Sequence, residues 1–331
     1  MTDPGISIEK ISPLQLPQYR EFIAQTRHKN FSCFSEVSGA ALTDLFLSEI
    51  EEMKDPAPGI FIAKSRNNPI ALLSLARLDW DSGHFGMPMA RIKHILGGVD
   101  PELDLPAKKM LIAKAGEELK NMGARHAAVR LPADDTASLY ALERAGYYLA
   151  DTIVDYYFDF RTEKIPKTGH QCELRLFSPA DLALVKRSVS GIFQDYIGRF
   201  HNDPHLDKKK ADQLYENWLI NSCSGLADDV ILALVGGELA GITTLKVHRD
   251  LNKYLPFKTG EVVLTGTVPK FRGKKVYSSM LGFAQSYFAG KIDLFKYTTQ
   301  LNNFHAQKAL VRLGFFLKYA YHTFHYYMPG G

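Results

Sequence analysis

Cysteine is scarce in this chain of 331 residues: Cys33, Cys172 and Cys223 are odd in number and far apart. That spacing excludes a disulfide framework and a cysteine-based zinc site, so reduced thiols and no bound metal are expected. Charge of one sign is scarce too. Lys and Arg number 40 against 36 Asp and Glu, and the net +4 is spread along the chain. Such an excess is too weak to recruit nucleic acid, although it suits an anionic small molecule. Long hydrophobic runs are missing: Val230 to Leu245 is interrupted by Gly236, Gly237 and Glu238 and is too short to span a bilayer, so no membrane partner is expected. Met1 to Lys10 contains Asp3, Pro4 and Gly5 and no apolar run, which excludes an ordinary secretory signal and leaves the cytoplasm as the expected location. With no low-complexity tract or like-charge block, the whole chain is expected to fold.

What is present is enough apolar sequence, 46% of residues, for more than one core; the length predicts two domains. A repeat supports this. Ile11-Ser12-Pro13-Leu14 and Phe177-Ser178-Pro179-Ala180 both read as helix starts, serine capping free amides and proline fitting the first helical position. Strand-turn-strand patterns follow in each half, Ile60 to Leu78 about a turn at Ser65 to Pro69, and Val230 to Val247 about Gly236-Gly237. Ala141-Leu142-Glu143-Arg144-Ala145-Gly146-Tyr147 then matches Ala309-Leu310-Val311-Arg312-Leu313-Gly314-Phe315, each glycine ending a helix before an aromatic-rich strand, Val154 to Phe160 or Tyr321 to Met328. The linker is expected between Arg161 and Gln171, where Pro166 and Gly169 break a polar stretch.

One segment of the second half carries chemistry. Glu261 to Val268 alternates as a strand; Lys270-Phe271-Arg272-Gly273-Lys274-Lys275 is a basic loop; a helix follows with Val276, Met280, Phe283, Ala284 and Tyr287 as its buried side. Free amides at a helix start, with cations beside them, form a phosphate site, and a pyrophosphate fits here. The matching stretch of the first half, Leu96 to Asp104, is acidic and repels phosphate.

Val268-Pro269-Lys270-Phe271-Arg272-Gly273-Lys274 resembles the CoA-pyrophosphate loop of the GNAT acyltransferases, whose pattern is Gln/Arg-x-x-Gly-x-Gly/Ala. Arg272 begins the match; Lys275 and Tyr277 stand at the two small positions. Leu78-Asp79-Trp80-Asp81-Ser82-Gly83-His84-Phe85-Gly86 with Ala90-Arg91-Ile92 is similar to the start of the dTDP-fucosamine acetyltransferase family, and the likeness runs in order from about residue 75 to 328, the first seventy or so residues being extra. The resemblance implies an α/β (α+β) chain of two tandem GNAT-like domains, residues 1–165, degenerate, and 172–331, acyl-CoA binding, each a mixed, mainly antiparallel sheet flanked by helices. It further implies an N-acyltransferase that moves an acetyl group from acetyl-CoA, or another acyl from its CoA thioester, to a small amine such as that of a nucleotide-linked amino sugar. By the same carry-over Thr265, Thr267 and Val268 hold the thioester; Arg272, Gly273, Lys274, Lys275, Val276 and Tyr277 hold the pyrophosphate; Asn303 contacts the pantetheine arm, or caps a helix.

In this family the amine attacks the thioester directly, and a tyrosine commonly protonates the departing thiolate. Leu310 occupies that position here. Glu261, Tyr277, His305, His322 and His325 are the remaining proton carriers, Glu261 leading as base. Tyr196, Arg199, His201 and His205 fall where the family shapes its acceptor pocket, and Trp80 belongs to the first-half signature. Two other readings stay open: a tandem-GNAT aminoacyl transferase, which would want a stronger basic face, and a non-catalytic CoA-binding protein. A homodimer is compatible with the sequence.

Overall fold

The structure, a computed structural model, describes residues 5–53, 59–167, 169, 171–194 and 196–328. Residues 1–4 of the N-terminal stretch and residues 168 and 170 of the expected linker lie outside the described residues. The chain divides into two compact units, Met1–Thr152 with Ala320–Gly331, and Ile153–Tyr319.

The first unit contains strands β1 (Ile6–Ile11), β2 (Gly59–Ser65), β3 (Asn68–Arg77), β4 (Met89–Leu96) and β5 (His126–Pro132), with helices α1 (Arg20–Gln25), α2 (Gly39–Glu51), α3 (Asp79–Phe85), α4 (Pro101–Asn121) and α5 (Thr136–Arg144). Strand β6 (Tyr148–Asp159) follows. The second unit contains β7 (Glu173–Leu176), α6 (Leu182–Ser188), α7 (Arg199–Asn202), α8 (Lys208–Asn221), β8 (Asp229–Val235), β9 (Glu238–Val247), β10 (Thr259–Thr267), α9 (Val276–Phe288), β11 (Leu294–Gln300) and α10 (Phe304–Arg312), and the chain closes with β12 (Phe316–Tyr327).

Each unit repeats one topology. In the first, β1 to β4 are antiparallel neighbours in order, β4 and β5 run parallel, and β12 pairs antiparallel with β5, Tyr321 opposite Pro132 and Tyr327 opposite His126. In the second, β7 to β10 are antiparallel, β10 and β11 run parallel, and β6 pairs antiparallel with β11, Leu294 opposite Asp159 and Gln300 opposite Ile153. The closing strands are thus exchanged, and the contact units are not the halves 1–165 and 172–331. The physical reason is that β6 and β12 are alike in composition, so either fits the open edge of β5 or β11. The exchange also carries His322 and His325 out of the second unit and into the first.

Local chemistry sets the elements. Both Ser-Pro starts form, each beginning with a 3-10 turn and a capping box, Ser12 with Gln15 and Ser178 with Asp181. The two matching hairpins use two-residue turns with positive φ at both central positions, Gly236-Gly237 in one and Arg66-Asn67 in the other. Helix α4 begins at Pro101, within the acidic stretch, because Asp100 caps it, and Pro106 is carried within it. The buried seam of α9 is Val276, Met280, Ala284 and Phe288; Tyr287 instead turns its hydroxyl to Asp229 and Phe283 is half-buried. The first seventy residues supply β1, β2, α1 and α2, so they complete the first sheet and its core around Phe22, Phe46, Ile60 and Ile62. Among the described residues no helix is long and apolar enough to cross a membrane.

Candidate functional site

In the second unit β10 and β11 are paired only from Thr259–Leu294 to Val262–Tyr297. A bulge at Val263 then shifts the register of β10 against β9, and Thr244 Oγ1 fills the gap by accepting the Leu264 amide at 3.0 Å. Beyond it β10 stays on β9 but leaves β11. Leu264 and Val268 turn their amides toward β9, Val268 to the Ala240 carbonyl at 2.9 Å. Alternation therefore sets the Thr265 and Thr267 amides on the edge facing β11, where ladder pairing has stopped. The Val268 amide, expected on the thioester, is used by the sheet.

The basic loop leads from this open edge into α9. Gly273 has φ 78° with open space where a Cβ would stand, and Lys275, the helix N-cap, has φ 58° and ψ 11°. Lys275 thus holds a left-handed backbone, a shape that glycine adopts most readily, at one of the two positions where the pattern quoted above has a small residue. No side chain caps α9. Its first amides, beside exposed Arg272, Lys274 and Lys275, are offered outward, and the residues present fit a pyrophosphate. Arg272 is steadied by the Ile192 carbonyl at 3.0 Å, and Lys270 is paired with Glu238.

The matching place in the first unit is filled from within. β4 and β5 also part after Ile92–Val129, but Asp100 caps α4 on the amides of Glu102 and Leu103 at 3.0 and 3.2 Å. Asp104 accepts the Gly98 amide at 2.8 Å, and a Cβ on Gly97 would stand 2.2 Å from that carboxylate. Buried Lys108 joins Asp104 at 3.0 Å and Asp135 at 2.7 Å. Carboxylates of the chain occupy the position an anion would take.

Phenols converge where β10 and β11 part. Tyr277, in the first turn of α9, meets Tyr297 of β11 edge-on with centroids 6.2 Å apart, and burial above all, then the Tyr297 and Tyr196 phenols, raises its pKa well above the ordinary value. Thr265 Oγ1 donates to Thr243 Oγ1 at 3.3 Å, and Thr267 Oγ1 is buried with no hydrogen-bond partner among the described residues. Tyr196 is fixed from the opposite face. Its hydroxyl accepts from Gln300 Nε2 at 2.5 Å, and its ring stands edge-on to Tyr215, 4.8 Å away, and folds over Gly198, where a Cβ would lie 2.6 Å from it. Gly266 has a like role: a Cβ there would lie 2.3 Å from Ile192 Cγ2, so glycine lets the Ile192 loop lie against the free end of β10.

Other expected residues lie elsewhere. Glu261 precedes the divergence and is held by His248 Nε2 at 3.1 Å and Lys296 Nζ at 3.9 Å. Burial works to raise its pKa, but the His248 hydrogen bond and the Lys296 and His248 charges prevail and lower it, which weakens it as a base. Asn303 caps α10 on the Ala306 amide at 3.2 Å and donates to Thr299 Oγ1 at 3.1 Å. His305 is exposed on α10, and Leu310 is fully buried. His201 is bound to Asp212 at 2.9 Å, His205 faces Asp203 at 3.4 Å, and Arg199 stacks on Phe200 at 4.3 Å. Trp80, in the first unit, is exposed and stacked on His84. Tyr297, Gln300, Gly198 and Gly266 were not singled out by the sequence; only the packing turns Tyr297 toward Tyr277 and Gln300 toward Tyr196.

The fold as a whole is shared with known structures. A GCN5-related N-acetyltransferase from Sphaerobacter thermophilus superposes with a TM-score of 0.65 at 14% identity, covering 100% of this chain and 98% of its own. The chain has the GNAT fold. A tandem GNAT protein from the clavulanic acid biosynthesis pathway matches with a TM-score of 0.58 at 14% identity, over 98% of this chain and 100% of that one. A fungal GCN5-related glucosamine N-acetyltransferase region, part of a larger enzyme, matches with a TM-score of 0.62 at 11% identity, over 97% of this chain and 38% of that one. By sequence, the spore coat polysaccharide biosynthesis protein SpsD of Bacillus subtilis is 25% identical over 205 residues, 61% of this chain and 66% of that relative's length. No family model matches.

Proposed function

We propose that the chain is an acyl-CoA-dependent N-acyltransferase whose second unit holds the CoA and acetylates a small amine. The observation that carries this is the start of the 13-residue helix α9, without a side-chain cap among the described residues, flanked by three cations, and adjoining the Thr265 and Thr267 amides that alternation sets on the parted edge of β10. The helix amides and cations suit the pyrophosphate, and amides on an open strand edge suit the carbonyl oxygen as it gains charge. The amine attacks the carbonyl carbon without a covalent enzyme intermediate.

An amino sugar, nucleotide-linked or not, is the acceptor this reading favours. SpsD is named for polysaccharide biosynthesis and the fungal region for glucosamine, and the half-buried Tyr196, backed edge-on by buried Tyr215, offers an aromatic ring that suits a sugar. The test is calorimetric titration with CoA, expected at one site per chain, followed by thiol release from acetyl-CoA with a panel of amino sugars and lysine peptides. Arg272→Glu should weaken CoA binding by about tenfold or more through reversed charge at the phosphate. Two sites per chain, or no effect of Arg272→Glu, rejects this placement. CoA binding without thiol release on any amine selects a non-catalytic CoA-binding protein.

A further inference from the structure

Tyr196 stands in the loop between α6 and α7, outside any helix or strand, yet the acceptor reading needs its ring in one place. Other elements tie that loop down. The Gly191 amide donates to Glu216 Oε1 of α8 at 2.8 Å, the Ile192 carbonyl accepts from Arg272 of the basic loop at 3.0 Å, and the Tyr196 hydroxyl accepts from Gln300 Nε2 at 2.5 Å. The first two hold backbone. The bond to Gln300 acts on the side chain, so it sets where the ring lies.

Gln300 is itself firmly placed. It ends β11, paired there with Ile153 of β6; its carbonyl accepts from Gln307 Nε2 at 3.3 Å, and Gln307 Oε1 accepts from the Tyr156 hydroxyl at 3.1 Å. Gln300 is buried, and a buried amide left without a partner is costly, which favours keeping the bond to Tyr196. Three residues apart, Tyr297 and Gln300 face opposite sides of β11 by strand alternation, Tyr297 toward Tyr277 of α9 and Gln300 toward Tyr196. Tyr196 still lies near enough to Tyr277 to help raise its pKa, so the ring that Gln300 holds borders the opening assigned to the thioester.

We propose that Gln300 is a positioning residue for the acceptor: through its bond to Tyr196 it fixes the ring on which the acceptor is bound beside the thioester. The inference rests on the acyltransferase reading above. A ring held from a strand end is already ordered when the acceptor arrives. Released from Gln300, it turns about its side-chain bonds and must be ordered on binding, which weakens the acceptor complex.

The test separates acceptor binding from fold and from CoA. Thiol release from acetyl-CoA is followed with glucosamine, or with whichever amino sugar of the panel above the wild type turns over fastest, and CoA affinity is read by calorimetry. Gln300→Leu should raise the acceptor KM by about three- to tenfold, with kcat and CoA affinity changed by less than about twofold. Tyr196→Phe removes the other half of the bond at the loss of one oxygen; it should raise KM likewise, and Gln300→Leu added to it should change KM by less than about twofold. An unchanged KM in either single variant overturns the proposal. So do losses that multiply in the double variant, or a fall in CoA affinity as large as the rise in KM. Absence of thiol release from the wild type on every amine of the panel has a different signature and overturns the acyltransferase reading itself.

Discussion

Lys275 opposes backbone strain to ligand charge, and replacing it with glycine separates the two. A non-glycine residue in the left-handed region costs roughly 1–2 kcal/mol, and φ 58° with ψ 11° lies in that region. Glycine relieves this strain but gives the unfolded chain more freedom, which offsets about 0.5–1 kcal/mol. Lys275→Gly should therefore stabilise the protein by about 0.5–1 kcal/mol, or raise Tm by roughly 1–4 °C. The same change removes one of three cations beside the α9 amides, and an exposed charge of this kind is worth about two- to fivefold in CoA affinity. Urea unfolding and CoA calorimetry on one preparation measure both. Gain of stability with loss of affinity is the expected pair. A variant that is less stable, or that binds CoA undiminished, refutes the claim that strain is retained at this position for the sake of charge.

Three further outcomes are expected. Gly266→Ala sets a Cβ 2.3 Å from Ile192 Cγ2, so the Ile192 loop must shift at a cost of about 1–3 kcal/mol; an unchanged thermal midpoint would contradict that close approach. Lys108→Met removes the cation between Asp104 and Asp135 and should destabilise by about 3–5 kcal/mol in denaturant unfolding. Asp135 is buried, which works against its ionisation, but Lys108 and the Ser138 hydrogen bonds outweigh burial and lower its pKa. The unfolded chain then takes up the proton first, so this stabilisation is complete above the ordinary aspartate value of about 3.9 and is lost as pH falls through the lower folded value. Asp135→Asn should flatten the acid limb of stability followed by urea unfolding; an unaltered limb would assign the acid sensitivity elsewhere.

Much of the architecture was legible because it is written in local chemistry. Ser12-Pro13 and Ser178-Pro179 start helices, Gly236-Gly237 turns a hairpin, and Gly146 and Gly314 end helices, since capping and positive φ are settled within a few residues of chain. The duplication and the basic loop before α9 follow from such signals alone. Partner choice was not legible. β6 and β12 carry the same aromatic-rich pattern, and nothing along the chain tells Tyr321–Tyr327 to pair with β5 rather than β11, because strand pairing is decided by edges distant in sequence. For the same reason the sequence offered Glu261 as a free base, whereas His248, just past the end of β9, and Lys296 of β11 engage it. It also held Lys275 and Tyr277 as departures from a pattern, where packing makes one a left-handed cap and the other a buried phenol. Residue type and spacing determined what chemistry was available; the bulge at Val263 and the parting of β10 from β11 decided which of those groups meet, because only tertiary contacts bring together atoms tens of residues apart.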